Sequence, residues 1–333
     1  MRVGAEHATL GYMSPPVVVE ISRGSFLESR HEVDVAIVGA DGHRSGFGNP
    51  TRPTLARSAL KPIQAFPLVK SGPLAKGSVA DAFSMSVQEL AMACASHGGE
   101  PMHIEVVSAW LERLGLDVHA LECAGHPPSH AASAEALVAA GTGFDARHNN
   151  CSGKHTGFLT VCRHHDLDPA GYLAPGHPLQ RDHITPAIEE LCSISTADQD
   201  PGVDGCGIPV WEIPLDRLAR GWANLAADPA GLRLYEAMMA APELVAGTGR
   251  MCTRVMQAGR GEVAVKTGAE GVFCAVVPRA GFAVAIKCRD GATRAAEATL
   301  LWVLADLGVR IDVEMNPLTN AAGVEVGSVR VRA

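Results

Sequence analysis

Short β-branched runs open the chain. Val17-Val18-Val19 and Val35-Ala36-Ile37-Val38 predict strands over 17–22 and 33–39, because branched side chains suit a pleated, half-buried surface. Asp41-Gly42 reads as a turn, and 46–53, punctuated by glycine and proline, as a loop. The middle of the chain is mostly helical in pattern. Helices are predicted over 57–70, 86–95, 105–114, 134–140, 153–164, 184–192 and 215–226, and the pattern continues over 236–244 and 249–258. Pro62 and Pro67 should kink or break the first of these, since proline removes an amide donor inside a helix. Pro101 suits a start just before the third. Strands return over 262–266, 272–277 and 282–287. Arg279-Ala280-Gly281 joins the last two as an antiparallel hairpin. A helix over 293–307 follows, with Ala296, Leu300, Val303 and Leu307 along one face.

Strands, a long helical insert, strands and a final helix define an α/β (α+β) chain. The simplest packing joins the first and last strands in one antiparallel sheet, with the final helix on one face. The sheet lobe would take about 15–56 and 260–331, and a mostly helical lobe 57–259. A site would lie between them. No internal repeat is visible, which argues against a scaffold or coiled-coil protein.

Bulk properties narrow the function. The 333 residues are 47% hydrophobic, enough for one large core. A net charge of −8 with no Lys/Arg cluster argues against nucleic acid as partner and favours a small substrate. The nine cysteines are odd in number and scattered in apolar settings, so a reducing cytoplasm is expected rather than a disulfide framework. The first residues carry no apolar run of signal-peptide type, and no apolar run is long enough to cross a membrane.

The chemistry begins at Arg57-Ser58-Ala59-Leu60-Lys61-Pro62. On a helix, Ser58 and Lys61 fall on one face. A serine hydroxyl is a weak nucleophile until a base takes its proton, and a lysine amine serves only when burial or a neighbouring cation lowers its pKa. Alone, S-x-x-K more often describes a solvated helix turn. Val265-Lys266-Thr267-Gly268 changes that reading, because S-x-x-K followed by K-T-G is the pattern of serine β-lactamases and penicillin-binding proteins. The intervening S-D-N element is absent, which argues against a penicillin-handling enzyme and leaves a relative that shares the serine/lysine arrangement, such as an amidase acting on glutamine or asparagine. Cys151 and Lys154 share i, i+3 spacing, and Cys206 lies between two glycines. These thiols read either as soft metal ligands or as buried free cysteines.

Several blocks occur in one order: Gly48-Asn49-Pro50-Thr51-Arg52, Ala56 to Gln64, Cys94-Ala95-Ser96-His97, Gly125-His126-Pro127, Asn150 to His155, Asp204-Gly205-Cys206 and Gly249 to Thr253. In these the chain resembles the asparaginase II family of the rhizobial inducible type, over about 17–307. The resemblance implies a single domain of β-lactamase/glutaminase-like fold and a homodimer. It also implies two Ser–Lys pairs, Ser58 with Lys61 and Ser96 with Lys266, and a zinc ion held by Cys151, Lys154 and Cys206. Arg57, His97, Asp204 and Gly205 are the candidate substrate-binding residues. Asp204 suits an α-ammonium, and Arg57 an α-carboxylate. A turn aspartate and a structural ion pair are the alternatives, and Arg250 has the same ambiguity as Arg57. Gly98-Gly99, where the relative carries serines, and Gly207-Ile208-Pro209, where it carries asparagine, alter the expected pocket wall.

The expected reaction is hydrolysis of L-asparagine to L-aspartate and ammonia. Ser58 attacks, Lys61 takes its proton, and Ser96 with Lys266 returns a proton to the leaving ammonia. A glutaminase or other small-amide hydrolase is the near alternative, and a catalytically silent zinc-holding module the distant one.

Overall fold

The structure, a computed structural model, describes residues 14–39, 41–71 and 77–332. The stretch read as lacking a signal peptide falls largely in 1–13, outside the described residues. Among the described residues, no helix is long and apolar enough to cross a membrane.

The two ends of the chain meet in one antiparallel sheet. Its spatial order is Leu318–Thr319, Glu325–Arg332, Val17–Arg23, Phe26–Gly39, Phe282–Cys288, Val272–Val277 and Ala264–Gly268. Arg44–Phe47 folds back beside the second half of Phe26–Gly39, with Val35 opposite Phe47. The fold is therefore the mixed α/β architecture with an antiparallel sheet that the order of elements predicts.

All six residues of Val272–Val277 are buried, whichever face they point to, so the sheet is covered on both faces at this strand. The helix Leu215–Ala227 packs on the central strands, and Thr293–Asp306 packs on the same strands and on Glu325–Arg332. Ala296, Leu300 and Val303 of the expected stripe are fully buried, and Leu307 sits at its rim. A single apolar core runs from Val17 to Val309 through sheet and helical insert alike.

Several elements differ from expectation. The helix expected over 236–244 is instead Pro229–Ala240 followed by Pro242–Val245, and three further differences shape the sheet and the site. The second strand begins at Phe26 rather than Val33, turning tightly at Gly24 (φ 56°). Its first half is largely exposed and so lacks the apolar alternation that marks a strand. The C-terminal strand Glu325–Arg332 goes unpredicted because it too is only half-buried. The helix expected over 57–70 is three pieces: a 3-10 turn Arg57–Leu60, then Lys61–Gln64 and Phe66–Val69, each of the last two with proline in its first turn.

Candidate active site

The 3-10 turn places Ser58 and Lys61 one above the other, since 3-10 side chains at i and i+3 eclipse. Arg57, just before the serine, has φ 49°, a left-handed conformation that costs a non-glycine residue of order 1–3 kcal/mol and is characteristic of functional turns. The strand Ala264–Gly268 runs against this turn. A Cβ at position 268 would lie 2.6 Å from the Ala56 carbonyl and 3.3 Å from the Ala59 amide, so Gly268 permits the close approach. The same strand carries Lys266.

Ser96 lies beyond the helix Val87–Ala93, in a loop pinned by Ser96 N to Val245 O (2.9 Å) and His97 N to Asn150 O (3.2 Å). Its hydroxyl receives Lys61 Nζ and Lys266 Nζ, each at 2.8 Å. Lys61 also donates to the carbonyls of Ala95 and, at 3.4 Å, Asn150. Lys266 has one other acceptor, the Thr267 carbonyl at 2.9 Å. Lys61 thus turns to the serine of the other predicted pair. The Ser58 hydroxyl makes no hydrogen bond to the described residues and is only half-buried, whereas Ser96 is buried.

Both amines lie out of water. Burial holds the Lys61 ammonium below its ordinary value, and burial reinforced by the Lys61 charge brings Lys266 to about 7. Lys61 meets three acceptors and Lys266 two among the described residues.

Beside this pair, Cys151, Lys154 and Cys206 come together. Lys154 Nζ lies 3.1 Å from Cys206 Sγ, and all three side chains are buried. A hydrogen bond from the Cys206 thiol, with the charges of Lys61 and Lys154, holds Cys151 well below the usual thiol value. Burial pulls Lys154 down, but the two sulfurs outweigh it and its pKa is raised. Cys206 is presented by the turn 204–208, closed by Gly207 N to Asp204 O at 2.8 Å.

The candidate substrate binders divide. Asp204 accepts Arg57 Nε at 2.8 Å and the Gly205 amide at 2.7 Å. Burial would raise the Asp204 carboxyl, but Gly205, Arg57 and Lys154 together hold it below its ordinary value. His97 is fully buried with both ring nitrogens engaged, Nδ1 accepting the Gly99 amide (3.1 Å) and Nε2 meeting Ser152 Oγ (2.9 Å). Arg250, which the sequence leaves ambiguous, donates through Nη1 to the Ser96 carbonyl at 2.9 Å and forms no ion pair among the described residues. Glu100 escapes sequence reasoning. It accepts the Thr248 amide at 2.9 Å and the Thr248 hydroxyl, joining the Ser96 loop to the Arg250 loop. Its one visible signal is a carboxylate placed just before the Pro101 helix start.

One serine hydroxyl is held by two buried amines, and one of those amines belongs to the turn that carries the half-exposed Ser58, so the site combines groups suited to nucleophilic and acid–base chemistry. A family model described as L-asparaginase II matches residues 19–331. The chain belongs to that family and is an amidohydrolase. Among solved structures it is similar to a candidate beta-lactamase from Bacteroides dorei (12% identity, 77% of this chain and 84% of that one, TM-score 0.38). It is also similar to simvastatin synthase from Aspergillus terreus (13%, 77% and 87%, 0.35) and to a Bacillus subtilis glutaminase in covalent complex with 5-oxo-L-norleucine (14%, 84% and 89%, 0.29). A search of curated proteins finds no match.

Proposed function

We propose that this amidohydrolase is an L-asparaginase, releasing ammonia from the side-chain amide of L-asparagine through an ester on Ser58. The observation that carries the reading is the Lys61–Ser96–Lys266 chain beside the half-exposed Ser58. A nucleophile must meet substrate, and Ser58 has the access and the unengaged hydroxyl. Passing a proton from Lys61 through the Ser96 hydroxyl to Lys266 leaves Lys61 a free amine, able to take the Ser58 proton during attack. The Ser58 amide, at the open first turn of its helix, supplies one donor to the oxyanion. The proton returns through Ser96 to the leaving nitrogen, ammonia departs, and water cleaves the ester to give aspartate.

Arg57 and Asp204 pair with each other, whereas Arg250 forms no ion pair among the described residues and suits the α-carboxylate; the second oxygen of Asp204 remains for the α-ammonium. For zinc, the donor set fits. Lys154 already sets a positive charge against the thiols, and a zinc-class ion could replace its proton, with Cys151, Lys154 and Cys206 as ligands. Bound there, it would supply a fixed positive charge and an open position for a polar group of the substrate.

All nine cysteines are free, which supports a reducing, cytoplasmic setting. The proposed homodimer has a candidate surface in the helix Ala131–Ala139, which buries none of its residues and leaves Val138 81% exposed. Sedimentation of a Val138→Glu variant tests it.

The deciding experiment is ammonia release from L-asparagine and L-glutamine by the wild type and Ser58→Ala. Release from asparagine, lost in the variant, is the expected result. Preference for glutamine would make the protein a glutaminase on the same machinery. Release from neither amide by folded protein would bring the zinc-holding module forward.

A further inference from the structure

Away from the lysines, where the sheet meets the start of the last helix, a second group of donors converges. We propose that His31, Cys288 and Asp290 form a binding site for a zinc-class divalent ion that clamps the N-terminal strand to the C-terminal part of the chain. One ligand atom from each residue lies within 4.8 Å of the other two. They are a nitrogen, a sulfur and an oxygen, the donor types zinc accepts in mixed sites. His31 and Cys288 are buried, 7% and 0% exposed, whereas the Asp290 side chain is 51% exposed, giving the site a path to solvent.

The hydrogen bonds describe how the site stands without an ion. Asp290 Oδ2 lies 2.6 Å from His31 Nδ1, and its Oδ1 accepts the Cys288 thiol at 2.9 Å. Arg294 Nη2 faces His31 Nε2 at 3.3 Å and can only donate, so Nε2 accepts and Nδ1 carries the ring proton. One carboxylate therefore receives N–H and S–H from the two atoms that, with it, would ligate a metal. Entry of a dication releases the thiol proton and moves the ring proton to Nε2, where Ser29 Oγ at 3.3 Å can accept it once the Arg294 guanidinium turns from the ring toward Ser29 Oγ, already 3.0 Å away. The thiolate and the carboxylate balance the two charges of the ion itself, and the Arg294 guanidinium lies beside the ring as a further positive charge. A water completes the fourth position on the open side.

The placement gives the site a structural purpose. Cys288 pairs with Val33 in the sheet register, and Asp290 also accepts the Ala292 amide at 3.0 Å, ahead of Thr293–Asp306. The His31–Asp290 contact spans 259 positions of sequence. A metal clip there closes a long loop, and such a constraint acts on the unfolded chain.

The test uses the full chain loaded with cobalt(II) or zinc and freed of excess metal. Wild type should hold one more equivalent than His31→Ala and than Asp290→Asn, whatever Cys151 and Cys206 hold. It should show cobalt–thiolate absorbance that weakens in Cys288→Ala, and its Tm should rise with added zinc while that of Asp290→Asn rises less. Asp290 is exposed, so its amide variant should fold. Equal metal content and equal Tm response in wild type and Asp290→Asn would overturn the proposal.

Discussion

Lys266 sets the acid–base behaviour at the scale of single residues. Its folded pKa of about 7 means that the free amine grows as pH rises through neutrality. If that amine is the acceptor at the end of the Ser96 relay, kcat/KM should climb with a limb near pH 7 and fall on the acid side. Replacement by arginine keeps the charge but removes the amine. Lys266→Arg should cost about 10²–10⁴-fold and abolish that limb, as a pH–rate profile would reveal. An unchanged limb would assign the titration elsewhere. The motifs S-x-x-K and K-T-G made both lysines legible in the sequence. Spacing did not reveal that Lys61 reaches Ser96, because the direction of its amine is set by the loop 94–100 and by the Ala95 and Asn150 carbonyls. Ser96 itself differs from Ser58 in having both amines as partners. Ser96→Ala should slow turnover yet still allow ester formation, visible by mass spectrometry as a substrate adduct that Ser58→Ala lacks.

Elements hold these residues through close packing, which a sequence expresses faintly. The helix Ser152–His164 follows Cys151 and packs on Val87–Ala93, the helix leading to Ser96. Gly153 is the point of contact: a Cβ there would lie 2.4 Å from the Met92 carbonyl. Gly153→Ala should therefore destabilise by about 1–3 kcal/mol through overpacking, and should lower activity by displacing both loops. Gly176 has nothing within 4 Å of such a Cβ, so Gly176→Ala should lie within about 0.5 kcal/mol of wild type. Denaturant titration of the two variants makes the comparison. Helix periodicity located helices with a regular buried stripe, such as Ser152–His164 and Leu215–Ala227, but over 236–244 it missed the start at Pro229 and the break at Ala241. It could not show that 57–70 divides into a 3-10 turn and two short helices, although Pro62 and Pro67 marked both breaks.

Across the whole molecule, the joining of the two chain ends rests on more than sheet hydrogen bonds. Asp34 is fully buried in the second strand, yet it accepts Arg52 Nε, Arg289 Nη2 at 2.8 Å and the Asn49 amide at 2.8 Å. Arg289 follows the strand Phe282–Cys288, so this carboxylate ties the N-terminal strand, the loop toward Ser58 and the C-terminal hairpin together. The order of elements in the sequence was enough to predict that first and last strands share a sheet, but a lone aspartate between valines gave no sign of this hub. Burial would raise its pKa, and Arg289, Asn49 and Arg52 outweigh burial and lower it. The folded value lies below the unfolded one. Its stabilisation is therefore present above the unfolded carboxyl pKa of about 3.9 and lost as pH falls through the folded value. Asp34→Asn should cost about 3 kcal/mol at neutral pH, at the low end for a broken buried pair because both guanidinium groups reach solvent. It should also remove this acid-labile contribution, so that the stabilities of wild type and variant converge as pH drops below the unfolded carboxyl pKa and through the folded value. Denaturant curves across that range decide the matter: a difference that stays constant with pH would mean that the hub acts through packing rather than charge.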